Sequence, residues 1–116
     1  MSRDSILKEK SAAYGRRIVK LGKYLKQEQR EFVLANQIVR SGTSIGANVA
    51  EAIYGSSRKD FIAKLQIAQK EAAETLYWLD MLYSGEYISD RLYRSFDAQC
   101  RELMAMLAAT IKTASR

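Results

Sequence analysis

The stretch Ser41-Gly42-Thr43-Ser44-Ile45-Gly46-Ala47-Asn48-Val49-Ala50-Glu51 lies inside an apolar helical pattern and yet is built of small and hydroxyl residues. On a helical wheel, Ala35, Ile38, Gly42, Ile45, Val49 and Ala52 form one line at three/four spacing, the stripe of a core-facing helix. Beside it Gln37, Ser41, Ser44, Asn48 and Glu51 form a polar line at the same spacing, and Val39, Thr43, Gly46, Ala47 and Ala50 take the remaining face. Between Phe32 and Ser57 only Arg40 and Glu51 carry charge. A helix with so little to offer water is expected to be enclosed on all sides, which a chain of 116 residues cannot do alone. The expectation is an oligomer.

Outward from this helix the same periodicity continues. A first helix is expected over about Ser5 to Leu25, burying Leu7, Ser11, Tyr14, Ile18, Leu21 and Leu25, and the second over about Glu31 to Tyr54. Gly55 stands where a left-handed residue closes a helix, and Ser57 with Asp60 resembles a capping box opening the third. That helix runs through Phe61, Leu65, Ala68, Ala72, Leu76, Leu79 and Leu82 to Ser84-Gly85. The fourth begins near Ser89-Asp90 and buries Leu92, Phe96, Cys100, Leu103, Leu107 and Ile111. Proline is absent, there is no internal repeat or flexible linker, and the connections are short. The pattern predicts an all-α, up-down-up-down antiparallel four-helix bundle, one domain over residues 1–116.

The net charge of +6 is unevenly spread. Residues 1–30 hold nine basic residues against Asp4, Glu9 and Glu28, the whole of the excess, while the rest of the chain is balanced. Arg16, Lys20 and Lys23 fall on the back of the first helix, flanked by Arg17 and Lys26. Such a stripe suits a polyanion or an acidic partner, and it equally suits a solvated helix face. The first residues lack an apolar signal region, and no uncharged run approaches the roughly 18 residues of a membrane span. The single cysteine, Cys100, cannot build an intrachain disulfide framework, so a reduced, cytoplasmic setting is expected, with no membrane partner.

The third helix carries a second line of Lys64, Ile67, Glu71, Glu74, Trp78 and Met81. Two carboxylates in a bundle raise the question of a di-iron centre, but such centres need histidine and the chain contains none. No metal or cofactor is expected. The missing imidazole also removes the usual activator of Ser41, Thr43 or Ser44, and a buried Cys100 is an inert thiol, so no enzyme is expected. The glycines at 42 and 46 permit close helix approach, and no phosphate loop surrounds them. Arg40, Ser41, Ser44, Asn48, Glu51, Glu71, Glu74 and Trp78 are instead expected to pair across a helix or subunit contact. Glu71 and Glu74 also read as water-facing residues, whereas a tryptophan beside them favours a contact surface.

The run from Ser41 to Glu51 resembles the S-x-T-S-I-x-x-N-I-x-E signature of the proteins related to the 23S rRNA-intervening sequence protein. Phe61, Leu65, Ile67-Ala68 and the run from Lys70 to Leu79 resemble the family's third helix. Glu102-Leu103, Leu107 and Ile111-Lys112-Thr113 resemble its last. The likeness covers roughly residues 5–113, with Val49 in place of the commoner isoleucine and Ala52 where glycine often follows. The resemblance implies a bacterial cytoplasmic four-helix bundle assembled as a homopentameric ring. A related branch, the accessory proteins of diversity-generating retroelements, forms basic barrels that bind a reverse transcriptase and nucleic acid.

Two functions follow. In the first, the stripe Arg16, Arg17, Lys20, Lys23 and Lys26, multiplied by self-assembly, binds RNA or DNA through charge and shape, because each neutralised phosphate releases counterions. In the second, the same face docks an acidic protein, such as a reverse transcriptase or a ribosome-associated protein. A multi-phosphate contact weakens steeply with salt and a desolvated protein interface less so.

Overall fold

Helix starts are written in the sequence as serines followed by an acid. The structure, a computed structural model, describes residues 2–116 and consists of α1 (Arg3–Gln27), α2 (Val33–Ile53), α3 (Arg58–Ser84) and α4 (Asp90–Ala114). Ser2, Ser57 and Ser89 each accept the amide N–H of the residue three positions on, at 3.1 Å, and Asp4, Asp60 and Asp90 stand in the first turns. Each cap satisfies an otherwise orphaned donor, and each acid faces the positive end of a helix dipole. Helix α2 is the exception. Glu31, expected as its first residue, stays outside, and its carboxylate accepts from the Leu34 N–H at 2.7 Å because Phe32 at the cap position has no side-chain oxygen.

Helix ends depart from the glycine expectation. Gly55 is not left-handed; Tyr54 closes α2 with φ −93°, and the Gly55 N–H donates to the Ala52 carbonyl at 3.0 Å. Gly55 supplies room instead, since a Cβ there would lie 3.0 Å from the Ala52 carbonyl oxygen and against the Asp60 carboxylate. The left-handed residues are Arg30 (φ 55°) and Glu86 (φ 66°). Helix α3 runs one residue further than a glycine closure requires, so Gly85 keeps helical geometry and Glu86 takes the turn. The Glu86 N–H donates to the Tyr83 carbonyl at 3.0 Å and the Tyr87 N–H to the Leu82 carbonyl at 2.9 Å, the paired bonds of a Schellman closure.

The four buried stripes meet in one core. Leu7, Tyr14, Ile18 and Leu25 of α1, Ile38, Ile45 and Val49 of α2, Leu65, Leu79 and Leu82 of α3, and Phe96, Leu103 and Leu107 of α4 are nearly inaccessible. Phe61, Leu76, Leu92 and Ile111, expected in the stripes, are partly buried, while Thr75 and Ile88 join the core unannounced. Helices α1 and α3 each pack against both α2 and α4, giving a bundle of 45 × 23 × 21 Å.

Glycines set the distance between α1 and α2, among them Gly22, where a Cβ would run into the Val39 side chain. A Cβ on Gly42 would stand 2.8 Å from both Cγ1 and Cγ2 of Ile18, and one on Gly46 would stand 3.1 Å from the Ser11 carbonyl oxygen. The small-residue spacing read in the sequence is therefore an approach of α2 to the side chains and backbone of α1. With α1 on one side and α3 on the other, α2 keeps a narrow open strip of Val33, Asn36, Arg40, Ala47 and Glu51. Much of the circumference of α2 is covered within one chain, and this strip is the part left for a neighbouring subunit to enclose.

Candidate nucleic-acid interface

The exposed back of α1 follows from its core stripe. With Tyr14, Ile18, Leu21 and Leu25 turned inward, Arg16, Lys20 and Lys23 face solvent, and Lys26 is half-buried. None of these four takes part in an ion pair among the described residues. Cations left at the surface without carboxylate partners keep their full attraction for an external anion.

Arg17 has another assignment. Its Nη1 donates to Gln99 Oε1 at 2.8 Å, and the guanidinium lies 4.0 Å from the centroid of the Phe96 ring. Beneath it the Tyr14 hydroxyl donates to the Phe96 carbonyl at 3.0 Å, with the two rings edge-on at 6.0 Å. Arg17 closes the α1–α4 seam as much as it adds charge to the surface. Its place between the core line and the back face was a signal for this, since Arg17 is three residues beyond Tyr14 on the same side of the helix.

The residues of the packing motif divide into three. Ser41 is fully buried, with Thr75 Oγ1 2.9 Å from its hydroxyl and 2.8 Å from the Glu71 carbonyl. Ser44 donates to the Arg40 carbonyl at 2.6 Å and Asn48 to the Ser44 carbonyl at 2.8 Å, so both are satisfied by their own helix and not by carboxylates. The charged members do meet across helices, where Arg40 bridges Glu71 and Glu74 and Lys64 stands 3.5 Å from Glu51, while within α3 the Trp78 indole N–H donates to Glu74 at 2.9 Å. Trp78 is half-buried and edge-on to the exposed ring of Tyr77. The α2–α3 seam is thereby a hydroxyl pair inside and an ion network outside.

The nucleophile candidates are enclosed or occupied. Cys100 is buried with its thiol 3.4 Å from the Ala72 carbonyl, and burial pushes it up to about 11. Burial likewise raises Tyr14 well above the ordinary phenol range. Thr43, like Ser44, donates to a carbonyl of its own helix, at 2.6 Å. No group of three or more metal-ligating side chains converges among the described residues.

Sequence periodicity gave no role to Tyr24, Tyr83, Tyr87 or Tyr93. Tyr24, Tyr83 and Tyr87 line a groove where α1 ends and the α3–α4 turn passes, and Tyr93 stacks on Tyr83 with centroids 4.4 Å apart. The available signal was their crowding around two helix termini.

Fold and surface together define a class: a small all-α, four-helix bundle whose first helix carries the excess positive charge. Residues 3–109 match the 23S rRNA-intervening sequence proteins, and the chain belongs to that family. It is also similar to a crystal structure from Bacteroides thetaiotaomicron VPI-5482, a protein of unknown function from the S23 ribosomal protein family. The two are 50% identical, with a TM-score of 0.94 over 96% of this chain and 99% of that one. No curated protein matches the chain. No helix among the described residues is long and apolar enough to cross a membrane.

Proposed function

We propose that this protein is a non-enzymatic, cytoplasmic scaffold that self-assembles and carries RNA on the repeated basic face of α1. The observation carrying this reading is the exposure of Arg16, Lys20 and Lys23 on one face without carboxylate partners among the described residues. The family's description adds an rRNA context. A bundle of up-down-up-down topology suits the cross-helix pairs Arg3 with Thr113, Lys10 with Glu102, and Glu51 with Lys64. Assembly as a homopentameric ring is the family's implied state. Its support here is the apolar surface of Val33, Tyr54, Ile67 and Tyr77, from 42% to 79% exposed, around the α2–α3 seam. The enclosed Cys100 and the absence of histidine support a role without catalysis.

The test is binding of purified protein to a fluorescent structured RNA across a salt series, beside an Arg16→Glu/Lys20→Glu/Lys23→Glu variant. A steep salt slope that the variant abolishes is expected, with helicity unchanged because these side chains lie opposite the core. Equal binding by the variant, or none at low salt, overturns the reading in favour of an acidic protein partner on the same face.

A further inference from the structure

The groove at the closed end of α1 differs from the rest of the surface in what lines it. Tyr24 and Gln29 come from the end of α1 and the link beyond it, Tyr83 from the last turn of α3, and Glu86 and Tyr87 from the α3–α4 turn. Its volume is about 510 Å³, within the roughly 300–1,000 Å³ of clefts that hold small ligands. The walls are stiff. Tyr83 is stacked on Tyr93 at an interplanar angle of 11°, its hydroxyl donates to Asp90 at 2.9 Å, and Gln29 donates to the Tyr24 hydroxyl at 2.8 Å. The bond to the Asp90 carboxylate also raises the Tyr83 phenol.

Two features decide what enters. The first is continuity with the basic stripe: Arg16, Lys20 and Tyr24 follow one another at four-residue steps, which places them in a row on the same helix face. The second is that the charged side chain lining the groove is acidic. Glu86 repels a phosphate and accepts hydrogen bonds from amino groups. It also stands in a left-handed conformation, although Gly85 beside it would bear that geometry without strain. A ligand whose anionic part lies along α1 and whose planar, amino-bearing part turns in among tyrosines is an unpaired nucleotide.

We propose that this groove holds an unpaired base of single-stranded RNA, stacked on the tyrosines with its exocyclic amino group toward Glu86, while the adjoining phosphates lie on Lys20 and Arg16. The proposal rests on the RNA reading above and sharpens it. Duplex RNA, with its bases stacked and paired, reaches the stripe but not the groove. Adenine, cytosine and guanine carry an exocyclic amino group; uracil does not.

Fluorescence anisotropy with labelled oligoadenylate and oligouridylate, each about 12 nucleotides and so of the length such surfaces engage, and with a blunt RNA duplex tests this. Tyr24→Ala is expected to weaken oligoadenylate binding about 10-fold, the scale of one lost base–aromatic stack, with the salt slope and duplex binding unchanged. Glu86→Gly relieves the left-handed strain and is expected to raise the melting temperature while bringing oligoadenylate and oligouridylate affinities together. A purely structural role for Glu86 cannot produce that combination. Lys20→Glu weakens all three ligands. If Tyr24→Ala leaves oligoadenylate binding intact, or weakens the duplex equally, while Lys20→Glu still acts, this inference falls and the RNA reading survives. If the wild-type protein binds none of the three at low salt, both fall.

Discussion

The two sides of α2 are built on different principles. Toward α1 the contact is steric: Gly42 and Gly46 let α2 approach so closely that an added methyl group meets Ile18 or the Ser11 backbone. Toward α3 it is polar: Ser41 and Thr75 pair in the interior, and Arg40, Glu71, Glu74 and Trp78 pair at the rim. A steric seam tolerates almost no added volume and is indifferent to charge. A polar seam tolerates changes of volume at its rim and fails when an inner partner is lost. One helix therefore carries two kinds of specificity, which explains why its sequence offers so little to water.

The sharpest way to break the comparison is at Gly42. Gly42→Ala puts a methyl group 2.8 Å from two carbons of a β-branched side chain that has little rotamer freedom to yield. A loss of about 2 kcal/mol in chemical denaturation is expected. The double variant with Ile18→Ala is expected to lose less than the sum of the two single changes, because removing Ile18 beyond its Cβ clears the space. Strict additivity would show that the glycine does not set the helix spacing.

On the polar side the corresponding change is Thr75→Val, which keeps the volume and removes the cross-helix partner of the fully buried Ser41 hydroxyl, leaving it a long 3.4 Å bond to the Ile38 carbonyl. A cost of about 1–2 kcal/mol is expected, and Thr75→Val/Ser41→Ala should recover much of it, since removing both partners leaves no orphaned group. If the double variant is worse than Thr75→Val alone, the pair is not the unit that holds this seam.

These two seams were unequally legible. The core stripes of α1 and α2 follow from apolar spacing alone, and the glycine spacing announced close approach. Ser41 was grouped with Ser44 and Asn48 because wheel position cannot say which hydroxyl turns to a neighbour and which folds back on its own helix; i−4 carbonyls compete for every one of them. Thr75 escaped because a threonine among Ala72, Leu76 and Leu79 reads as an interruption of the stripe when it is a member of it. The turns were misread at Gly55 because glycine serves space as well as left-handed geometry. The basic face was legible as charge, but the commitment of Arg17 to Phe96 and Gln99, and the gathering of tyrosines at one end, depend on α4 and on the α3–α4 turn. Contacts between residues some 80 positions apart have no local signature.

A smaller effect of opposite sign separates the glycines themselves. A Cβ on Gly15 would lie 3.8 Å from the Thr43 Cα, an ordinary contact. Gly15→Ala is therefore expected to stabilise the protein by about 0.5–1 kcal/mol, the usual gain of alanine within a helix. A loss instead would mean that α1 and α2 are closer along their whole length than the Gly42 and Gly46 contacts require.

The smallest expected effect is at the rim. Arg40 is 49% exposed and Glu74 33% at the side chain, so Glu74→Gln removes an ion pair largely screened by water, while the glutamine oxygen still accepts the Trp78 N–H. For a chain in isolation the cost is about 0.5 kcal/mol and disappears in high salt, as for exposed pairs generally. Assembly changes this arithmetic. The open strip of α2 runs directly past Arg40, so a second copy seated there would strip water from the network, and loss of one partner would leave a charge buried and unpaired. A cost that grows well beyond 1 kcal/mol as protein concentration rises would place the rim inside a subunit contact. A small, concentration-independent cost would leave the strip open and put self-assembly on another face.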